Sequence, residues 1–215
     1  MRGARNLLLA VLIGLAGAFA SCSGDDANAT LLEQLEQKGF FEFCSGADCS
    51  SVRREIADNG WPGIFSETGR YFPADSESLT ESGVGRFVES VRPFLEKQGV
   101  TIPEITERFD EEYALVVDGE VVPVWTREEI DRELHGNQGG LTWGLSTART
   151  VGLVNSWLAA TSSKQRAYAV NGGNDLWIMF LSDDLFQFIS THPGVSPESA
   201  PYSPTEDYPW FGQPH

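Results

Sequence analysis

A long apolar helix followed by an unbroken apolar strand constrains this fold more than any other part of the sequence. From Ser146 to Ala160, apolar residues recur at three- and four-residue spacing over more than one face, which is typical of a largely buried helix. Asp175 to Leu181 has the sequence Asp-Leu-Trp-Ile-Met-Phe-Leu, without the alternation expected of a strand that has one face in water. The sequence therefore predicts a core helix and a strand that is covered on both faces.

The same strand belongs to one of two predicted β-hairpins. Arg166 to Val170 precedes it, and the Asn-Gly-Gly-Asn between them accepts the positive φ angles of a tight turn. The second hairpin pairs Tyr113 to Val117 with Glu120 to Trp125 across Asp-Gly, which favours a two-residue turn. Because Pro123 cannot donate to a β-ladder, we expect the returning strand of this hairpin at the edge of a sheet.

Three helix starts are predicted from capping residues. Thr30 to Glu33 and Thr126 to Glu129 are capping boxes, in which the Thr hydroxyl and the Glu carboxylate each bind a free backbone amide of the first turn. Ser182, which two aspartates follow, has the composition of a third helix N-terminus. We expect a helix to begin at each of these positions.

Two further helices and a loop are predicted before the Asp-Gly hairpin. Leu79 to Gln98 keeps helical spacing, but Pro93 inside it should kink the helix or mark a fresh start. Ile102 to Asp110 has apolar residues four apart and is predicted to be a short helix. Trp61 to Ser78, with its glycines and aromatic residues, is predicted to be an ordered loop.

The order of these elements is helices, hairpin, two helices, hairpin and helix. It predicts the α+β class, with a small, mostly antiparallel sheet that is built from two β-hairpins and packed against several helices. We divide the chain into a signal peptide (1–21), a polar tether (22–29), a single globular domain (30–192) and an extended tail (193–215). The tail holds six of the eleven prolines.

The N-terminus resembles an export signal. Arg2 and Arg5 precede the apolar run from Leu7 to Ala20, which is too short for a membrane span and ends at small residues that suit a processing site. Ala18-Phe19-Ala20 fits the ordinary signal peptidase. Phe19-Ala20-Ser21-Cys22 resembles the lipobox of bacterial lipoproteins, with Phe in place of the usual Leu.

A resemblance to bacterial lipoproteins would account for the cysteines. The chain has three, Cys22, Cys44 and Cys49, and an odd number in an exported protein leaves one thiol to explain. Lipidation of Cys22, which the resemblance implies, leaves Cys44 and Cys49 to form a disulfide in an oxidising compartment. The expected location is the bacterial cell envelope, with the chain anchored by lipid. A soluble periplasmic or secreted protein is the alternative.

The net charge argues against two classes of partner. It is −16, with a pI near 4.4, whereas nucleic acid and anionic lipid both bind clustered Lys and Arg. Residues 104–133 carry eleven acids against three arginines. This segment is either a solvated face or a docking surface for a basic protein.

The loop after this segment has the composition of a binding site. His135 to Trp143 combines an imidazole, two amides and an indole with glycines that let a ligand approach the backbone. A connector between two helices is the alternative interpretation. Together with the neighbouring acids, the candidate binding residues are His135, Asn137, Gln138, Trp143, Glu128, Glu129 and Asp131.

The sequence predicts no catalytic residue, metal site or cofactor. Asn155-Ser156-Trp157 resembles a motif of papain-like proteases, but neither Cys44 nor Cys49 lies in the sequence context of that family's nucleophile. The three histidines have no metal-ligand spacing.

The sequence favours an exported, lipid-anchored acidic binding protein of the bacterial cell envelope. Its partner would be a basic protein or another envelope ligand, bound through the acidic segment and the loop. The alternative is an envelope hydrolase that acts on glycan or peptide through His135 and nearby acids.

Overall fold

The computed structural model describes residues 24–44, 47–61 and 65–207. The predicted signal peptide, Cys22 and residues 208–215 lie outside the described residues. Within the described part, helices of nine residues or more are α1 (Gly24–Gln37), α2 (Ala47–Asn59), α3 (Val84–Lys97), α4 (Arg127–His135), α5 (Leu141–Ala159) and α6 (Asp183–Thr191). The strands are β1 (Tyr71–Pro73), β2 (Ile105–Phe109), β3 (Tyr113–Val117), β4 (Glu120–Trp125), β5 (Gln165–Val170) and β6 (Trp177–Ser182).

The strands form two three-stranded antiparallel sheets. Sheet A has the order β1-β6-β5 and sheet B the order β2-β3-β4. This confirms the predicted α+β class, with antiparallel hairpins packed against helices. Each predicted hairpin forms its own sheet and gains a third strand from elsewhere in the chain.

The third strand of sheet B corrects one prediction. Residues 102–110 were expected to form a helix, but β2 pairs with β3, with Ile105 opposite Val117 and Phe109 opposite Tyr113. Two residues four apart lie on the same side of a helix and also on the same face of a strand. The spacing of Ile105 and Phe109 is therefore compatible with both, and pairing with β3 decides for the strand.

The two hairpin turns differ in length. Asp118 and Gly119 form the predicted two-residue turn, both with positive φ (50° and 88°), and β4 lies at the edge of sheet B as Pro123 predicts. The connection from β5 to β6 is longer than the predicted tight turn. It spans residues 171–176 between the paired Val170 and Trp177 and contains a 3-10 turn at Gly173–Asp175.

The capping predictions hold at two of three helices. Thr126 and Glu129 form the complete capping box at α4, and the Ser182 side chain accepts a hydrogen bond from the Leu185 amide at α6. Helix α1 instead begins at Gly24, so Thr30 lies inside it and residues 24–29 of the predicted tether are helical. The alanines at 27 and 29 favour this extension, because alanine has the highest helix propensity.

The helix predicted from Leu79 is interrupted upstream of Pro93. The break lies at Glu81 and Ser82, where Ser82 has a φ of 63°, and α3 continues through Pro93. At Gly83, a Cβ atom would lie 2.2 Å from the Ser78 carbonyl oxygen, so no residue with a side chain fits this bend without moving the backbone. Pro93 is exposed, and water can satisfy the carbonyl that its missing amide leaves unpaired.

Sheet A lies between two hydrophobic cores. In β6, Ile178 and Phe180 belong to one core, and Met179 and Leu181 belong to the other. This confirms the prediction that the strand is covered on both faces. The first core also contains residues of α3, α5 and one face of sheet B, and the second contains residues of α1, α2 and α6.

Cys44 and Cys49 lie at disulfide distance, as predicted, with their Cα atoms 5.7 Å apart. The bridge connects the turn after α1 to the beginning of α2. The described part of the tail is attached to sheet A, because Tyr202 and Ala169 exchange backbone hydrogen bonds of 2.8 and 2.9 Å. The Tyr202 hydroxyl also donates to the Asn171 carbonyl at 2.7 Å.

A buried arginine joins the turn after α1 to sheet A. The Arg70 side chain is 0 % exposed, and its Nε donates to the Phe40 carbonyl while its Nη1 donates to the Phe180 carbonyl and to Gln165. Its Nη2 donates to the Gly39 carbonyl and to the Glu42 carboxylate. All five guanidinium donors therefore have acceptors. Burial lowers the pKa of Arg70, and Glu42 offsets part of that effect.

We predict that Arg70→Met lowers the free energy of unfolding by about 3 kcal/mol or more, because several buried acceptors lose their donor at about 1–3 kcal/mol each. Urea unfolding measures the effect. Arg54→Met is the matched control, since Arg54 is an exposed arginine on α2, and surface changes alter stability by about 0.5 kcal/mol or less. Equal stability of the two variants would contradict the structural role of Arg70.

Candidate functional site

The predicted binding loop connects α4 to α5. His135 is the exposed last residue of α4, and its Nδ1 lies 3.2 Å from the Asp131 carbonyl oxygen. Asn137 is exposed with a φ of 55°. Gln138 and Trp143 are half-buried, and Gln138 Oε1 has no hydrogen-bond partner among the described residues. Within the described residues, the His135 ring contacts the Asp131 backbone carbonyl and forms no ion pair with a carboxylate.

Glu133 holds the two ends of this loop together, a role that sequence reasoning missed. Its Oε1 accepts a hydrogen bond from the Gly140 amide at 2.9 Å, and its Oε2 accepts from the Thr142 amide and hydroxyl at 3.0 and 2.7 Å. A carboxylate at this position is favoured by the free amides and the dipole at the N-terminus of α5. One indication of this role is present in the sequence. Gly140, the residue before α5, has no side chain that could cap the helix, so its free amides need an acceptor from elsewhere in the chain.

Glu129, one of the predicted binding residues, is buried in a structural ion pair. Its two carboxylate oxygens accept from Arg149 Nη1 and Nη2 at 2.9 and 2.7 Å, and one also accepts from the Thr126 amide at 2.8 Å. Arg149 donates further to Glu206 in the tail, at 2.8 Å. The Glu129 carboxylate therefore faces the protein interior, where it binds Arg149 and the Thr126 amide.

The surroundings of Glu129 act on its pKa in opposite directions. Burial raises the pKa of the carboxyl, but hydrogen bonds from Arg149 and Thr126 outweigh it and leave the pKa below its ordinary value of 4.5. For Arg149, burial lowers the pKa, and hydrogen bonds to Glu129 and Glu206 raise it overall. Both groups are thus charged at neutral pH, and their attraction stabilises the fold.

We predict that Glu129→Gln destabilises the protein at pH 7 by about 2 kcal/mol, the usual value of a hydrogen bond to a charged group. Because the folded-state pKa of Glu129 is depressed, its contribution is present above pH 4.5 and is lost as the pH falls through the lower folded-state value. The difference between variant and wild type should therefore shrink below pH 4.5 in urea unfolding. Glu128→Gln, an exposed neighbour, should show no such pH-dependent difference.

Most of the acids in residues 104–133 remain accessible. We call the exposed carboxylates of sheet B, of the turns at the ends of its strands and of α4 the acidic surface. Glu107 is excluded, since it accepts hydrogen bonds from Tyr113 and from the Gly85 amide. The members of the acidic surface are Glu104, Asp110, Glu111, Glu112, Asp118, Glu120, Glu128 and Asp131.

Few cations neutralise the acidic surface. Arg127 pairs with Glu111 at 2.5 Å and connects α4 to the turn between β2 and β3. Arg108 lies on the outer face of β2, and no ion pair joins it to a carboxylate among the described residues. The surface therefore keeps a strong excess of negative charge, which attracts basic groups over a Debye length.

The outer face of sheet B is concave and partly apolar. A depression of about 300 Å³ is lined by Arg108, Asp110, Glu111, Glu112, Ala114 and Val121. Of the two apolar residues, Val121 is 56 % exposed, whereas Ala114 is buried. An exposed apolar side chain beside several carboxylates is suited to contact with another protein.

An exposed aromatic ring lies at one end of β2. Phe109 is 51 % exposed, and its ring centroid is 5.5 Å from that of Tyr113 and 5.6 Å from that of Trp125. The two buried rings fix its position, so it can offer a preformed apolar contact. Sequence reasoning missed this feature because it placed Phe109 on a helix.

Comparison of the chain with protein-family models, curated proteins and solved structures found no match. In residues 24–44, 47–61 and 65–207, no helix has the length and apolar content needed to cross a membrane. No group of three or more His, Cys, Asp and Glu side chains in those ranges has the arrangement of a metal site.

Proposed function

We propose that this chain is an exported, lipid-anchored acidic binding protein of the bacterial cell envelope, which docks a basic protein through the acidic surface. The observation that carries the proposal is the set of eight exposed carboxylates on sheet B, its turns and α4, of which one forms an ion pair within the described residues. Charge of one sign around a docking site raises association rates and selects partners of opposite charge.

The depression on sheet B supports a docking role rather than simple solubility. Acids that only keep a protein soluble need no apolar surface between them. Here the exposed Val121 shares the depression with Asp110, Glu111 and Glu112, and apolar contact next to polar groups is usual at an interface. Long-range attraction would then be followed by short-range burial of apolar area.

The loop from His135 to Trp143 has a smaller part in this proposal than the sequence suggested. Glu133 ties both ends of the loop, which supports a connector. Its exposed residues, His135 and Asn137, follow α4 directly and can extend the contact area. The hydrolase alternative, with His135 and nearby acids, has no supporting contact among the described residues.

Location in the envelope is supported by the N-terminal sequence. The apolar run from Leu7 to Ala20 and the lipobox-like sequence ending at Cys22 favour export and lipidation. Cys44 and Cys49, at disulfide distance, are consistent with an oxidising compartment.

We predict that the triple variant Glu104→Lys, Asp110→Lys, Glu112→Lys loses at least about tenfold in retention of its basic partner, because reversal replaces attraction with repulsion. Immobilised protein is loaded with envelope extract and eluted with increasing salt. The matched control, Asp58→Lys, Glu67→Lys, Glu198→Lys, changes the same charge at exposed positions away from the acidic surface. Equal retention by both variants, or retention insensitive to salt, would refute docking through this surface.

We also predict that Cys22 carries the lipid. Growth with radioactive palmitate should label the wild-type chain, and Cys22→Ser should abolish the label and move the protein from the membrane to the soluble fraction. Cys49→Ser serves as the control and should keep the label. A labelled Cys22→Ser chain would show that the anchor is elsewhere.

A further inference from the structure

One edge of sheet B has backbone groups that no described residue pairs with. The Asp118 amide donates to the Glu104 carbonyl, and the Asp110 amide donates to the Glu112 carbonyl, each at 3.0 Å. In an antiparallel pair, residues alternate between hydrogen-bonded and non-hydrogen-bonded positions. Ile105, Glu107 and Phe109 therefore direct their amides and carbonyls away from β3, to the edge. No backbone or side-chain hydrogen bond reaches these groups within the described part of the chain.

The outer edge of β5, by contrast, is closed. The Asn155 side chain accepts from the Ala167 amide at 2.6 Å and donates to the Ala167 carbonyl at 3.0 Å, so it occupies the position of a neighbouring strand. Ala169 is paired in the same way with Tyr202 of the tail. Two separate parts of the chain thus protect this edge from pairing with another strand.

The outer edges of β1 and β4 are interrupted by proline. β1 has three residues and ends at Pro73, and β4 contains Pro123 next to an irregularity in its register. Proline has no amide to donate, so it blocks the addition of a strand. Among the sheet edges of the described residues, β2 alone has neither a covering group nor a proline.

Charge selects the occupant of this edge. Residues 104–112 contain five acids and one arginine. A second copy of the chain, with a net charge of −16, would place Glu104 of one copy opposite Asp110 of the other in an antiparallel pair centred on Glu107, and like charges directly opposite each other are destabilising. A strand rich in Lys and Arg would meet Glu104 at one end of β2 and Asp110 at the other. Phe109 would give it an apolar contact.

We propose that the free edge of β2 accepts an extended, basic segment of a partner protein as a fourth strand of sheet B. This inference rests on the proposed function, since it states how the basic partner is held. Backbone hydrogen bonds to Ile105, Glu107 and Phe109 supply affinity, and alternating side chains of the added strand supply specificity. Lys and Arg on the added strand contact the acidic surface.

The test uses purified full-length protein and a short fluorescein-labelled peptide of alternating lysine and valine, with binding followed by fluorescence anisotropy at low salt. The control peptide has the same side chains and charge but every backbone amide is N-methylated, so it cannot donate in a ladder. We expect the parent peptide to bind at least about tenfold more tightly than the methylated one.

A pair of protein variants tests the same edge from the other side. Phe109→Ala removes the ring and keeps the outward amide, whereas Phe109→Pro removes the ring and that amide while leaving the bonds of β2 to β3 intact. We expect the proline variant to bind the parent peptide at least about fivefold more weakly than the alanine variant. Thermal unfolding checks that both variants are folded. If the proline variant does not fold, the comparison of the two peptides still tests the proposal, because it uses the wild-type protein.

The outcomes separate this inference from the proposed function. Equal binding of the two peptides would overturn strand addition and leave electrostatic docking in place. Absence of binding of either peptide at low salt would overturn both. A third outcome is that the wild type self-associates in sedimentation, that Phe109→Pro does not, and that neither peptide binds. This outcome would assign the edge to a second copy of the chain and overturn the proposal of a basic partner.

Discussion

The buried guanidinium of Arg70 is the interaction on which the arrangement of the two cores depends. It binds the carbonyls of Gly39 and Phe40 on one side and that of Phe180 on the other, so it joins the turn after α1 to the middle strand of sheet A. Its charge is balanced by one carboxylate, Glu42, which is partly exposed. An arginine suits this place because its planar fork meets several acceptors at once and it stays charged when buried. Arg70 therefore fixes the turn after α1, which belongs to the second core, against the middle strand of sheet A.

Burial of sheet A on both faces leaves sheet B as the sheet that can meet a partner. The faces of β6 are shared between the two cores, and the β5 edge is occupied by Asn155 and Tyr202. Sheet B has one face in the first core, while Val121 on its other face is exposed to solvent. The two sheets therefore have different roles. Sheet A is covered on both faces and contributes to stability, whereas sheet B has a face that a partner can contact.

Local sequence patterns predicted the features whose structure depends on residues close together in the sequence. The capping box at Thr126, the Asp118-Gly119 turn and the two-faced burial of β6 each depend on a few neighbouring residues. The features that these patterns did not predict have non-local causes. Strand β2 exists because β3 is available to pair with it, and Glu129 is buried because Arg149 reaches it from α5. The roles of Arg70 and Asn155 follow from carbonyls and amides far away in the sequence, which no spacing rule can reveal.

The same acids that make sheet B attractive to a basic partner also protect it from its own copies. An open strand edge is a hazard, because any exposed strand of similar register can pair with it. Proteins commonly limit this hazard with charges, and the exposed Glu104 and Asp110 flank β2 at its two ends. Since every copy of the chain has the same excess of acid, repulsion is strongest between identical edges and reverses for a strand of opposite charge. Specificity at such an edge depends on the strands that it repels as much as on those that it attracts. The backbone of β2 could pair with a strand of any sequence, and the charges around it restrict this pairing to basic strands.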